Sequence, residues 1–280
     1  MRKNFIILLL TLICCLDLHS QTIHWIFFID TTDYQLGNDN RNGKRALDKH
    51  FVSKVNAALG LKGYKNKNYC YMGADCTSSN CNKVINSLSC TSKDIVVFYY
   101  IGHGRNANGG GQWPSMEFTN SRNQYLSLNK VHQTIKAKKP QLTFTVGMCC
   151  NKVRPQLSGQ SGLSTQSRKY KIVSKDFAKK LQKMFLSKKG DVIIAAASTG
   201  QEAQGGCKYE TGEIDYFTGA LCMIMDSYAA SAKNDELTWS RFMKDITYWT
   251  HYYVNNEVKD DNGKAEEQRP HYSVNVVPIK

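Results

Sequence analysis

DIVVFYYIGHGRNANGGG, Asp94 to Gly111, sets an unbroken apolar run against a glycine-rich turn. The six residues Ile95 to Tyr100 are all β-branched or aromatic. Such a short run predicts a strand buried on both faces, as in a parallel sheet. It runs into Gly102-His103-Gly104, which places an imidazole at the C-terminal end of a strand, where open α/β sheets hold their ligands. The glycines leave its ring uncovered by neighbouring side chains.

Working outward, QLTFTVGM (141–148) predicts a second strand, ending in Cys149-Cys150-Asn151. Between the two, Ser127 can cap a helix carrying Leu128, Val131 and Ile135 that closes before Pro140. A strand–helix–strand unit makes the strands parallel and neighbouring. Their C-terminal ends then bring His103 and a thiol to one sheet edge, the requirement for a base beside a cysteine nucleophile.

The rest of the chain repeats the pattern. IHWIFFI (23–29) is another apolar strand, followed by Asp30 and Asp33. Leu47, Phe51, Val55 and Leu59 recur every fourth residue as a helix stripe that Gly60 ends. A short strand is expected near 69–72 and a short helix near 84–88. Ser174 starts a helix with Phe177, Leu181 and Phe185 on one face. DVIIAAAS (191–198) is a strand that leads into Thr199-Gly200-Gln201-Glu202. YFTGALCMIMDSYAA (216–230) and WSRFMKDITYW (239–249) are helices. Residues 154–170, rich in Ser, Gly and Gln, form a polar loop suited to proteolytic nicking. Alternating strands and helices predict an α/β fold with a mostly parallel sheet covered on both faces.

Residues 1–20 carry Arg2 and Lys3 before the apolar run Phe5 to Leu16, and read as a signal peptide. The expectation is an exported protein, periplasmic or secreted, with one domain over 21–280. Lipid attachment at Cys14 or Cys15 ranks second, because Ile13 and Cys14 stand where a small residue is needed. Removing Arg2, Lys3 and Asp17 takes the net charge from +14 to 14 − 1 = +13. That charge reads first as diffuse, solvated lysines, with contact to anionic cell-surface polymers as the second reading, and no nucleic-acid motif is present. Eight cysteines remain after residue 20. In an exported chain, clustered Cys70, Cys76, Cys81 and Cys90 suggest two disulfides. Zinc is the rival, disfavoured because the spacings lack close pairs and no His lies among them. No cofactor or metal signature appears.

Taken together, these pieces resemble the caspase-like cysteine peptidases, the clan of caspases, metacaspases, legumain and gingipains. Bacterial metacaspase-like members are the most similar. FYYIGHG matches the His motif, CCN the nucleophile motif, DVIIAAASTGQEA a cleft wall and YFTGAL a helix motif. The 47-residue separation of His103 and Cys150 fits the caspase spacing. The resemblance implies a central sheet of about six strands and peptide-bond hydrolysis by His103 and Cys150, with the backbone N–H groups of Gly104 and Cys150 as oxyanion hole. Cys149 remains the alternative nucleophile. Two departures stand out. Ile101 replaces a Ser before the Gly-His-Gly turn, and Met148 replaces the Asp two residues before the Cys. Without that Asp, a basic P1 residue is expected to be poorly accepted unless Asp30, Asp33 or Glu202 lines the substrate pocket. A catalytically silent binding or adhesion module is the competing function. A redox role for Cys149-Cys150 is weak, for want of a C-x-x-C pair.

Overall fold

The computed structural model describes residues 21–107, 111–119, 124–153, 174–231 and 236–279. The expected signal peptide and the polar loop at 154–170 lie outside them. Six strands form the central sheet: β1 (Thr22–Ile29), β2 (Lys65–Met72), β3 (Ile95–Ile101), β7 (Leu142–Met148), β8 (Lys188–Ala195) and β11 (His271–Pro278), while β4 (Gly104–Arg105), β5 (Ser115–Phe118) and β6 (Gln124–Ser127) form a small sheet and β9 (Cys207–Tyr209) and β10 (Gly212–Ile214) another. Their order is β11-β8-β7-β3-β1-β2. All neighbours are parallel except the edge pair β11–β8. The mostly parallel α/β sandwich is therefore as expected. The edge strand β11 was not, because its residues are mostly half-buried and alternate weakly.

The pleat sorts the core in two. Ile23, Trp25, Phe27 and Ile29 of β1 point to one face with Val97, Tyr99, Phe144, Val146 and Ile194. The helices covering that face are α1 (Gly37–Leu47), α2 (Ser53–Gly60), α5 (Lys175–Leu186), α6 (Tyr216–Ala230) and α7 (Trp239–Glu257). Ile26, Phe28, Val96, Phe98 and Tyr100 point the other way, under α3 (Ser78–Ser87) and α4 (Leu128–Lys136). With both faces dry, every position can be apolar, and the strands read as runs rather than alternations.

Between α1 and α2 the helix widens into a π turn over Asp48–Val52. A strict four-residue repeat drifts around an α-helix of 3.6 residues per turn. The wider turn takes up that drift, so Leu47, Phe51, Val55 and Leu59 all stay buried. Ser127 and Ser174 cap their helices as expected, accepting from the amides of Lys130 and Phe177.

The expected disulfides are not formed: Cys70, Cys76, Cys81 and Cys90 are free thiols. The pleat explains part of this. Tyr69 and Tyr71 of β2 pack on the α3 side, with Cys76, Cys81 and Cys90, so Cys70 between them points to the opposite face. Burial pushes the Cys76 and Cys81 thiols up, away from the reactive thiolate.

A polar network sits on the α4 face. His132 Nδ1 lies 2.9 Å from Thr145 Oγ1, and its Nε2 lies 3.0 Å from Asp191 Oδ1. Lys136 Nζ reaches the other Asp191 oxygen at 2.8 Å. The order hydroxyl, imidazole, carboxylate is that of a hydrolytic triad. However, exposures of 0% for Thr145, 1% for His132 and 4% for Asp191 exclude a substrate. Its role is to tie α4 to β7 and β8. Burial holds the His132 pKa below its ordinary 6.5, although Asp191 pulls it the other way. Its contribution to stability is thus full above pH 6.5 and is lost as the pH falls through the folded value. His132→Ala should cost roughly 3 kcal/mol in urea unfolding at pH 7.5, as expected for breaking a buried pair. The gap from the parent should narrow at pH 5.5; a gap that widens there would contradict the assignment.

Candidate active site

β3 and β7 run parallel in register, with Ile101 beside Met148. Just beyond, the Gly102 amide donates to the Met148 carbonyl at 3.2 Å. His103 and the two cysteines therefore leave the sheet side by side, as the strand order required. The turn is glycine-bounded for want of room. A Cβ on Gly102 would lie 2.6 Å from the Tyr100 hydroxyl, and one on Gly104 would lie 2.6 Å from both Cβ and Sγ of Cys149. Neither glycine has a positive φ, so space rather than backbone freedom selects them. The Tyr100 hydroxyl holds the turn, its single proton shared between the carbonyls of His103 (2.8 Å) and Glu117 (2.5 Å). Gly104 opens the short strand β4 (Gly104–Arg105), which pairs with β5 (Ser115–Phe118).

The two thiols face different surroundings. Cys149 is 1% exposed and packs in the core beneath α3 and α4. Cys150 is half-buried, and its Sγ accepts the Ala203 amide at 3.4 Å. Burial pushes the Cys150 thiol up to about 11, with the Ala203 amide opposing. Cys149 is pushed further, again by burial. Asn151 is fully buried and ties three loops together. Its amide nitrogen donates to the carbonyls of Gln112 (3.0 Å) and Ala197 (3.3 Å), and its side-chain oxygen accepts from Asn106 (3.1 Å).

A cleft opens beside these residues, lined by His103, Met148, both cysteines and Ala203 together with Asp39 and Asp215. Of the sequence-derived pocket candidates only Met148 lines it. Asp30 is buried, accepting from the Thr32 amide and hydroxyl and, at 2.6 Å, from the Thr119 hydroxyl. Asp33 Oδ2 lies 3.0 Å from His103 Nε2. Glu202 pairs with Lys152 at 3.1 Å. Asp30 and Glu202 are engaged away from the cleft, and Asp33 meets it only through His103.

The two acids that do line the cleft were missed. Asp215 caps α6, with Oδ1 accepting the Thr218 amide at 2.6 Å. Asp39 lies on α1, whose sequence GNDNRNGKRAL lacks an apolar period. Its buried face is polar instead, with Asn40 and Asn42 bonded to the carbonyls of Asp30 and Glu213. Burial raises both carboxyls to about 6. Glu213 adds to the effect on Asp39, and Asp39 adds to the effect on Asp215. Among the described residues no three His, Cys, Asp or Glu side chains gather as a metal site.

Gly104→Ala should destabilise the protein by about 1–3 kcal/mol in urea unfolding, the range for overpacking a filled site. An unchanged midpoint would mean that the turn has slack.

The caspase domain, compared as a family, matches residues 25–276 of this chain. No curated protein matches it.

Proposed function

The chain belongs to the caspase-domain family, a family of cysteine peptidases, and we propose on that premise that it is an exported endopeptidase. In this reading Cys150 is the nucleophile, His103 its acid–base partner, and the preferred P1 residue is Lys or Arg. The observation that carries it is the cleft shared by His103, Cys150, Asp39 and Asp215. Both thiols border that cleft; Cys150 is preferred because it is the half-buried one, whereas Cys149 is buried in the core.

The chemistry follows from the placement. The scissile carbonyl enters beside Cys150, whose thiol proton passes to the imidazole of His103. The sulfur then adds to the carbonyl carbon, and the negative charge collects on the carbonyl oxygen. Backbone N–H groups of Gly104 and Cys150 receive that oxyanion in this reading. The proton moves from His103 to the amide nitrogen as the C–N bond breaks, releasing the amine and leaving a thioester. Water hydrolyses the thioester and restores the thiol. With the Cys150 pKa raised by burial, the resting sulfur is a thiol, so His103 acts when substrate is in place.

The substrate preference reverses the expectation drawn from Met148. That position has lost its Asp, but two carboxyls with no counterpart in the sequence argument line the same cleft. A guanidinium or ammonium there pairs with groups that are costly to leave charged and alone.

Cys150→Ala should abolish hydrolysis of Arg-P1 fluorogenic peptides while Cys149→Ala keeps much of it; full activity in Cys150→Ala would remove the nucleophile assignment. Asp39→Asn and Asp215→Asn should each lower kcat/KM for Arg-P1 peptides by roughly thirtyfold, about 2 kcal/mol, and leave neutral-P1 peptides little changed. Because both carboxyls ionise at about 6, KM for Arg-P1 peptides should fall as pH rises from 5 to 7. Efficient cleavage after neutral residues with none after Arg or Lys would overturn the substrate class.

A further inference from the structure

We propose that Asp33 is a positioning residue that orients the His103 imidazole, so that the site works as carboxylate, imidazole and thiol rather than as a pair. This rests on the reading of Cys150 and His103 given above.

Three observations converge on it. Asp33 Oδ2 stands 3.0 Å from His103 Nε2. Its other oxygen accepts the amides of Gln35 (2.9 Å) and Leu36 (2.7 Å), and its carbonyl accepts the Gly37 amide at 2.9 Å. The carboxylate is therefore fixed by the turn that opens α1 and cannot swing away from the ring. Its position follows from the sheet: β1 neighbours β3 with Ile29 beside Ile101, so the loop after β1 meets the turn after β3.

The chemistry is that of a proton held in place. An ionised Asp33 accepts from Nε2–H, which fixes the tautomer whose Nδ1 carries the lone pair. Nδ1 is then the nitrogen that takes the Cys150 proton and returns it to the leaving amine. When both ring nitrogens are protonated, Nε2–H faces a carboxylate and the imidazolium is stabilised. The ion pair is partly screened, with side-chain exposures of 22% for His103 and 13% for Asp33. Burial alone would raise the Asp33 carboxyl, yet bonds from Leu36, His103 and Gln35 hold it below the usual range, and so ionised.

The test is Asp33→Asn. One amide oxygen can still accept from Gln35 and Leu36, while the NH₂ faces Nε2 as a donor and favours the opposite tautomer. On an Arg-P1 peptide kcat should fall by about 10²–10⁴, with KM changed less than about threefold, as for a group whose effect is on the reaction and not on binding. Asp33→Glu, which keeps the charge, should recover part of that loss. Independently of turnover, ¹⁵N spectra of histidine-labelled Cys150→Ala protein should show His103 protonated at Nε2. In Cys150→Ala/Asp33→Asn the proton should move to Nδ1. Asp33→Asn with kcat within threefold of the parent, or equal kcat in the Asn and Glu variants, would overturn the proposal, as would an unchanged tautomer. If the parent hydrolyses no peptide while the tautomer still switches, the peptidase reading falls and the positioning role stands.

Discussion

The parallel register of β3 against β7 is the constraint on which the site depends. With Ile101 beside Met148, the next residues of both strands leave the sheet at one level, and an imidazole and two thiols meet with no further instruction. A slip of one residue would turn every side chain of β7 to the other face. It would send Phe144 and Val146 toward α3 and α4, and Thr143 and Thr145 into the face packed by α5 and α6. Core packing thus fixes the register of the candidate site. The turn after β3 tolerates no side chain at 102 or 104, because Tyr100 and Cys149 already fill that space.

Most of the frame was legible because burial on two faces leaves a plain mark. Ile95 to Tyr100 and Leu142 to Met148 could be read as adjacent strands from apolar runs and a capped helix alone. What escaped shares one physical cause. α1 buries Asp39, Asn40 and Asn42 against loops, so its inward face has no hydrophobic period to detect. Asp215 was visible just before YFTGAL, but its capping role and its place in the cleft depend on how α6 docks. Asp33 was noted as a carboxylate near the site, but sequence separation says nothing of which ring nitrogen it faces. The cysteine cluster misled because spacing carries no information on which face of β2 a side chain takes.

Electrostatics at two ranges act in opposite directions. The chain carries a net charge of +14, which disfavours the approach of cationic peptides at low salt. At physiological ionic strength that field is screened beyond about 8 Å. In the proposed reading Asp39 and Asp215 act inside the cleft, where screening is weak and their own desolvation makes a cationic partner worth more. A basic surface around an acidic cleft is consistent for that reason. On that reading the surface governs encounter, and the cleft governs what stays.

Asp33 and Asp39 lie six positions apart, one in the turn that starts α1 and the other in that helix's first turn. At its far end the same helix passes through the π turn, where His50 is clamped between Asp226 of α6 and Glu210. One end of α1 thus carries both the residue proposed to anchor the substrate and the one proposed to orient the imidazole, while the segment beyond its other end is tied to Asp226 and Glu210 through His50. In the proposed mechanism recognition and proton transfer are therefore both built on one short stretch of chain, so that an insertion or deletion there would alter the two together.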